Sequence, residues 1–149
     1  MSFMLTPEAI KNIVESAEEA LEFMRNVSGM SIEMIISDRK TLTAFKYCFL
    51  VVAQAILTFS NYLVIKKKLG VPRSFQESIS MLVAAKLIPK NLEDTARMLV
   101  DMRDKVLHEG LLVTAAQIKM ICENVGGIEA IYRKVRDEVS VALPTGEHS

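Results

Sequence analysis

Three residues in the second half of the chain combine proton-transfer chemistry with phosphate recognition. Arg103, Asp104 and His108 lie within six positions, and the other of the two histidines, His148, is next to the last residue. Histidine is the usual acid or base at neutral pH, a carboxylate four residues away on a helix can hydrogen-bond it, and arginine offers a phosphate several donors. This set is sufficient for metal-free RNA cleavage, in which a ribose 2′-OH attacks the neighbouring phosphorus.

A single straight helix cannot bring these groups together. At about 100° per residue, Arg103 falls on the edge of the core-facing side and His108 falls about 140° away from it. Val100 and Leu107 form a second apolar strip beside Arg103, and a helix with two apolar strips needs a second surface to bury them. We therefore predict a two-fold homodimer that pairs this helix with its copy and forms the cleft.

A structural interpretation of the same residues stays open at this point. A histidine one turn from a helix end commonly interacts with the helix dipole, and Asp104 with His108 can be an ordinary surface pair. The same helix carries two further pairs at this spacing, Arg97 with Asp101 and Asp101 with Lys105. Spacing by itself does not decide between a catalytic and a structural role.

The composition indicates one domain without bulk charge. The 149 residues carry 18 Lys+Arg and 18 Asp+Glu, and half of them are hydrophobic. Zero net charge argues against a protein that coats nucleic acid or anionic membranes by bulk electrostatics. The basic clusters at 66–68 and 133–136 are typical of solvated helix surfaces, so we do not assign them to RNA binding.

The cysteines and the first residues point to an ordinary cytoplasmic protein. Cys48 and Cys122 lie in apolar periodic segments without another Cys or a His at metal-ligand spacing. We therefore expect reduced core thiols, no disulfide, no metal and no cofactor. The first ten residues lack a basic segment followed by an apolar one, so we expect no signal peptide.

Residues 47–65 contain no charge and approach the length of a membrane span. Within them Tyr47, Gln54, Thr58 and Asn61 recur at spacings of seven, four and three, which places them in one polar stripe on a helix. A lipid-facing helix would not keep such a stripe, whereas the central helix of a bundle would, so we predict no membrane contact. Gln54 and Asn61 either line the cleft or satisfy each other inside the bundle.

The rest of the chain reads as helices with short connections. N-caps predict helix starts at Thr6, Ser74 and Thr114, the last two as capping boxes. The apolar spacing predicts helices at 7–27, 38–69, 75–88, 91–109 and 115–141, the last running through Gly126 and Gly127, with a short turn at 31–37. We predict a single all-α domain over 1–149, an up-and-down bundle of four long helices plus a shorter one, with 142–149 as a flexible tail.

The motif and its surroundings resemble the HEPN superfamily, whose signature is an arginine, a polar residue, three further residues and a histidine. Arg103, Asp104 and His108 match it. More specifically, the chain resembles the HepT-like branch, the toxin half of a toxin–antitoxin pair, over about residues 8–142. The segments that carry this likeness are 31–39 before the second long helix, 54–65 with Asn61, the Gly-x-Pro-x-Ser linker at 70–74, and the leucine-containing stretch at 81–89.

The resemblance implies an all-α homodimer with the motif at the dimer cleft, metal-independent endoribonuclease activity on RNA, and a minimal nucleotidyltransferase as antitoxin. By the same carry-over, Arg103 and His108 would be catalytic and Asp104 would assist them. The branch usually has a tyrosine two positions after the histidine, to which the antitoxin attaches AMP, whereas this chain has Gly110. The alternative is therefore a non-catalytic helical dimer that binds a nucleotide or a nucleotidyltransferase partner.

Overall fold

The protein is built from helices throughout the part of the chain that the structure describes. This structure is a computed structural model that describes residues 5–109 and 113–143. Its helices are α1 (Pro7–Ser28), α2 (Ile32–Ser37), α3 (Arg39–Lys66), α4 (Phe75–Ala84), α5 (Glu93–Glu109), α6 (Ala115–Glu123) and α7 (Val125–Ala142), with a 3₁₀ turn at Lys90–Leu92. The predicted all-α class is confirmed. Gly110, His148 and positions 144–149 of the predicted tail lie outside the described residues.

Helix α3 is the centre of the bundle. It packs against α1, α2, α4, α5 and α7. By length and composition it could cross a membrane, since its most apolar 18-residue window has a mean hydropathy of 1.9, but 56% of that window is buried against other helices. Tyr47 and Gln54 of its polar stripe are exposed, and Thr58 and Asn61 are half-buried. The least covered side of α3 therefore follows that stripe.

The three predicted N-caps are confirmed, whereas the helix predicted from residue 91 begins at Glu93, after the 3₁₀ turn. Thr6, Ser74 and Thr114 each accept a hydrogen bond from the backbone N–H three residues further on. The box at Thr114 is complete. The box at Ser74 is half formed, because the Glu77 carboxylate accepts from the backbone N–H of Arg73 instead of that of Ser74.

Two helices end earlier than the sequence indicates, each at a lysine in the left-handed conformation. Helix α3 ends before Leu69, at a turn in which Lys68 has a φ of 56°. Helix α4 ends before Pro89, at a turn in which Lys86 has a φ of 62°. In both turns the N–H groups of the lysine and of the next residue donate to carbonyls of the last helical turn, an arrangement that glycine usually makes.

The prediction of one continuous last helix is wrong, because the chain is interrupted at Asn124 between α6 and α7. The side-chain amide of Asn124 donates through Nδ2 to the Met120 carbonyl at 2.7 Å, and its Oδ1 accepts from the Thr95 hydroxyl at 3.4 Å. Short polar side chains that bond nearby backbone compete with helical hydrogen bonding in this way. The apolar face nevertheless stays in phase across the break, and all its predicted members are buried: Ile118, Ile121, Val125, Ile128, Tyr132, Val135 and Val139.

Substitution of the two glycines in the first turn of α7 tests how closely α7 approaches α5. A Cβ at Gly126 would meet nothing within 4 Å, whereas one at Gly127 would lie 3.2 Å from Cγ2 of Thr95. We expect Gly126→Ala to raise the free energy of unfolding by about 0.5–1 kcal/mol, the usual advantage of alanine over glycine in a helix. Gly127→Ala should gain less or be destabilising, because Thr95 must move. Urea denaturation measures both, and equal gains would contradict the close approach.

Candidate active site

The candidate site is built around the side chain of Arg103 on α5, which is 19% exposed. Its Nη1 donates to Oδ1 of Asp104 at 3.1 Å, and its Nη2 donates to Oε1 of Gln54 on α3 at 3.2 Å. Its Cζ lies 5.1 Å from the ring centroid of Phe75, the first residue of α4. Side chains of α3, α4 and α5 thus meet at one guanidinium.

Local sequence explains how each helix supplies its part. Buried residues including Leu99, Met102 and Val106 hold α5 in the core, which leaves Arg103 at the edge of the packed face. Gln54 lies on the less covered stripe of α3. The N-cap at Ser74 starts α4 and makes Phe75 its first helical residue. The site therefore lies at the side of α3 that the other helices leave exposed.

A groove of about 530 Å³ opens beside Arg103. Its walls come from α1, α3 and α5 and are mainly apolar or small: Asn12, Ile13, Ser16, Tyr47, Leu50, Val51, Gln54, Ala55, Thr58, Arg103 and Leu107. Arg103 is the charged residue among them. A guanidinium beside an apolar wall is less screened than one in open water, so the groove suits an anionic group such as a phosphate.

His108 does not join Arg103 within one chain. It is exposed in the last turn of α5 and is not among the residues that line the groove. Asp104 does not hydrogen-bond to His108, as the spacing allows, but to Arg103. The structure thus joins Arg103 to Asp104 and Gln54 by hydrogen bonds, whereas in the described part of the chain His108 makes no hydrogen bond to any of these three residues.

The other charged residues of α5 form different pairs from those that the spacing suggests. Arg97 forms a salt bridge with Glu93 at 2.7 Å instead of one with Asp101. Asp101 accepts a hydrogen bond from Gln76 of α4 at 3.0 Å. Nζ of Lys105 lies 3.9 Å from Oε2 of Glu109. These contacts run along α5 or tie it to α4, and none of them reaches the groove.

The prediction of a second apolar strip on α5 is wrong for one of its two residues, Val100. Val100 is 4% exposed and belongs to the core of its own chain, whereas Leu107 is 51% exposed and lines the groove. Helix α5 packs against α3, α4 and α7, which cover a wider arc of its surface than the helical wheel assumed. Leu107 is therefore the apolar residue of this strip that a single chain leaves unburied.

The two polar residues proposed for the cleft have different positions. Gln54 lines the groove and its Nε2 donates to Oγ1 of Thr58 at 3.2 Å. Asn61 accepts a hydrogen bond from the buried Ser78 of α4 at 2.7 Å, so it ties α3 to α4. Sequence reasoning did not single out Phe75, since its contact with Arg103 depends on how α4 packs beside α5.

The basic clusters do not contribute to the groove. Those of α7 are paired with carboxylates: Arg133 with Glu129, Lys134 with Glu138, and Arg136 with both Glu18 and Asp137. Lys66, Lys67 and Lys68 are exposed at the end of α3. This pattern agrees with the interpretation of both clusters as solvated helix surface.

The two cysteines are free and half-buried. Burial raises the pKa of both thiols, with a further contribution from Glu19 at Cys48 and from Glu123 at Cys122. Both thiols are therefore neutral and weakly nucleophilic at physiological pH. Within residues 5–109 and 113–143, no three His, Cys, Asp or Glu side chains are grouped so that they could hold a metal ion.

Comparison with known families identifies the class of protein. A family model described as Ribonuclease HepT-like matches residues 17–137, a range that includes all of α5. The chain belongs to the HepT-like family, which confirms the resemblance drawn from its motif. A search of the curated proteins gives no match.

Solved structures of toxin–antitoxin complexes share the fold. A toxin–antitoxin complex with AMP-PNP aligns with a TM-score of 0.71 and 16% identity over 85% of this chain and 96% of that one. The tri-AMPylated Shewanella oneidensis HEPN toxin, in complex with the MNT antitoxin, aligns with a TM-score of 0.74 and 16% identity over 86% of this chain and 96% of that one. A variant of the MntA–HpeT toxin–antitoxin aligns with a TM-score of 0.72 and 17% identity over 86% of this chain and 97% of that one. The shared feature at this identity is the helical fold.

The different burial of Val100 and Leu107 predicts different effects on stability. Val100→Ala should lower the free energy of unfolding by roughly 1.5 kcal/mol, since it removes two buried methyl groups worth about 0.8 kcal/mol each. Leu107→Ala should change it by no more than about 0.5 kcal/mol, as at other exposed sites. Urea denaturation at low protein concentration compares the two. A larger loss with Leu107→Ala would mean that Leu107 is buried in a contact that one chain does not contain.

Proposed function

We propose that this chain is a metal-independent endoribonuclease toxin of a toxin–antitoxin pair and that it acts in the cytoplasm. The observation that carries the proposal is the guanidinium of Arg103, held at the edge of an apolar groove within the motif of a ribonuclease family. Arginine presents paired donors that match the oxygens of a phosphate. This arrangement supports a phosphodiester of RNA as the group that is bound.

In the proposed reaction His108 accepts the proton of a ribose 2′-OH, and the 2′-oxygen attacks the adjacent phosphorus. The bond from phosphorus to the 5′-oxygen of the next nucleotide breaks, and that oxygen takes a proton from water. The protonated His108 returns its proton to the solvent, so the protons balance. The products are a 2′,3′-cyclic phosphate and a 5′-hydroxyl. Arg103 stabilises the charge that develops on the non-bridging oxygens, and Asp104 assists by orienting Arg103, to which it is bonded.

The proposed site needs two chains, because Arg103 and His108 lie about 140° apart on the same helix. We propose a homodimer in which α5 packs beside its copy, so that one chain's Arg103 approaches the other chain's His108. The half-exposed Leu107, one position before His108, supports this arrangement because a second α5 would cover it.

The partner we propose is a minimal nucleotidyltransferase antitoxin, by analogy with the HEPN toxin that is complexed with the MNT antitoxin. That toxin is described as tri-AMPylated. Gly110 of this chain has no hydroxyl to which AMP could be attached. We therefore propose that the antitoxin neutralises this chain by binding.

Substitution of the two motif residues tests the proposed activity. We expect His108→Ala and Arg103→Ala each to slow cleavage of RNA by at least about 100-fold, the usual size of a lost proton-transfer or charge-stabilising group. His148→Ala is the matched histidine control, and Arg133→Ala, whose side chain pairs with Glu129 on α7, is the matched arginine control. Both controls should cleave RNA and arrest growth as the wild type does.

Cleavage that persists unchanged in both motif variants would overturn the assignment. The second candidate function is a non-catalytic helical dimer that binds a nucleotide or a nucleotidyltransferase, and the separation of His108 from Arg103 within one chain favours it. The result that supports this second candidate is a wild-type chain that does not cleave RNA but forms a stable complex with a nucleotidyltransferase encoded beside it.

A further inference from the structure

Two side chains outside the motif contact the guanidinium of Arg103. Gln54 comes from α3 and contacts Nη2, and Phe75 comes from α4 and places its ring under Cζ of the guanidinium. They lie 49 and 28 positions away from Arg103 in the sequence, so the contacts exist because three helices pack together. Asp104, the third contact, is the neighbour of Arg103 in the motif.

The Gln54 side chain is held in the direction that Arg103 requires. Its Nε2 donates to Oγ1 of Thr58 one turn further along α3, which leaves Oε1 facing Nη2 of Arg103. The opposite direction of the amide would set donors of Gln54 against donors of Arg103, since a guanidinium has no acceptor. The Arg103 guanidinium therefore determines which end of the amide faces it, and the Thr58 hydroxyl, which can donate or accept, fits that direction.

These contacts leave donors of Arg103 free for a ligand. A guanidinium has five N–H donors. One on Nη1 is used by Asp104 and one on Nη2 by Gln54, so three remain for the oxygens of a phosphate. Gln54 is neutral, so Asp104 is the carboxylate bonded to Arg103 and the positive charge of the guanidinium is not offset twice.

We propose that Gln54 and Phe75 are positioning residues that hold the Arg103 guanidinium against the scissile phosphate of RNA. The proposal rests on the proposed ribonuclease function and extends it to two residues that do not belong to the motif. Gln54 acts through its carbonyl oxygen on Nη2, and Phe75 acts through the face of its ring, over which the cation lies. Neither residue takes part in proton transfer.

The test is single-turnover cleavage of RNA by the full chain, with each substitution made in the wild-type and in the Arg103→Lys background. Gln54→Ala and Phe75→Leu should each lower the rate at saturating protein roughly tenfold, because misplacement of a catalytic group is costly. In the Arg103→Lys background, where no guanidinium remains to be positioned, each should change the rate by less than about twofold.

Two further variants separate positioning from a general structural effect. Gln54→Glu keeps an acceptor for Nη2 but adds a second carboxylate, so it should raise the half-saturating protein concentration more than it lowers the saturating rate. Gln76→Ala is the matched glutamine control, because Gln76 also bridges two helices but bonds to Arg97 and Asp101 instead of Arg103. Its saturating rate should stay at the wild-type value.

The outcomes distinguish this inference from the proposed function. If the wild type cleaves RNA but Gln54→Ala does so at the same rate, or loses as much in the Arg103→Lys background, the positioning role is overturned and the ribonuclease function stands. Phe75 is half-buried, so a lower unfolding temperature of Phe75→Leu shifts the test to Gln54→Ala, whose side chain is exposed. If the wild type does not cleave RNA, the proposed function fails and the positioning role fails with it.

Discussion

The need to bury the apolar helix α3 organises the other helices around it. Its residues 47–65 carry no charge, and such a helix is stable in water only when other helices cover it. Five helices do so, and the side left least covered follows the polar stripe that contains Gln54 and Thr58. Arg103 lies beside that stripe, so the groove forms where the surrounding helices leave α3 exposed.

The distribution of charge gives this groove its chemical character. The net charge is zero, and the arginines of α7 are paired with carboxylates on α1 and α7. Arg103 is paired with one carboxylate and faces mainly apolar walls. A phosphate would therefore be attracted by one local group instead of a basic surface, which reconciles a balanced composition with a family of ribonucleases.

One chain brings together only some of the candidate site residues. Arg103, Asp104 and Gln54 meet within one chain, whereas His108 lies on another face of α5. The motif spacing fixes this separation, because five residues on a helix correspond to about 140°. A second chain packed against α5 is the arrangement that we propose to complete the site.

The helical class, the N-caps and the motif are readable from the chain alone, because they depend on contacts within a few residues and on apolar spacing. The sequence missed the helix ends at Lys68 and Lys86 and the interruption at Asn124, where backbone and tertiary contacts override the apolar pattern. The burial of Val100 and the contact of Phe75 with Arg103 follow from the packing of the helices. These contacts join residues on different helices, and local sequence does not specify which helix faces meet.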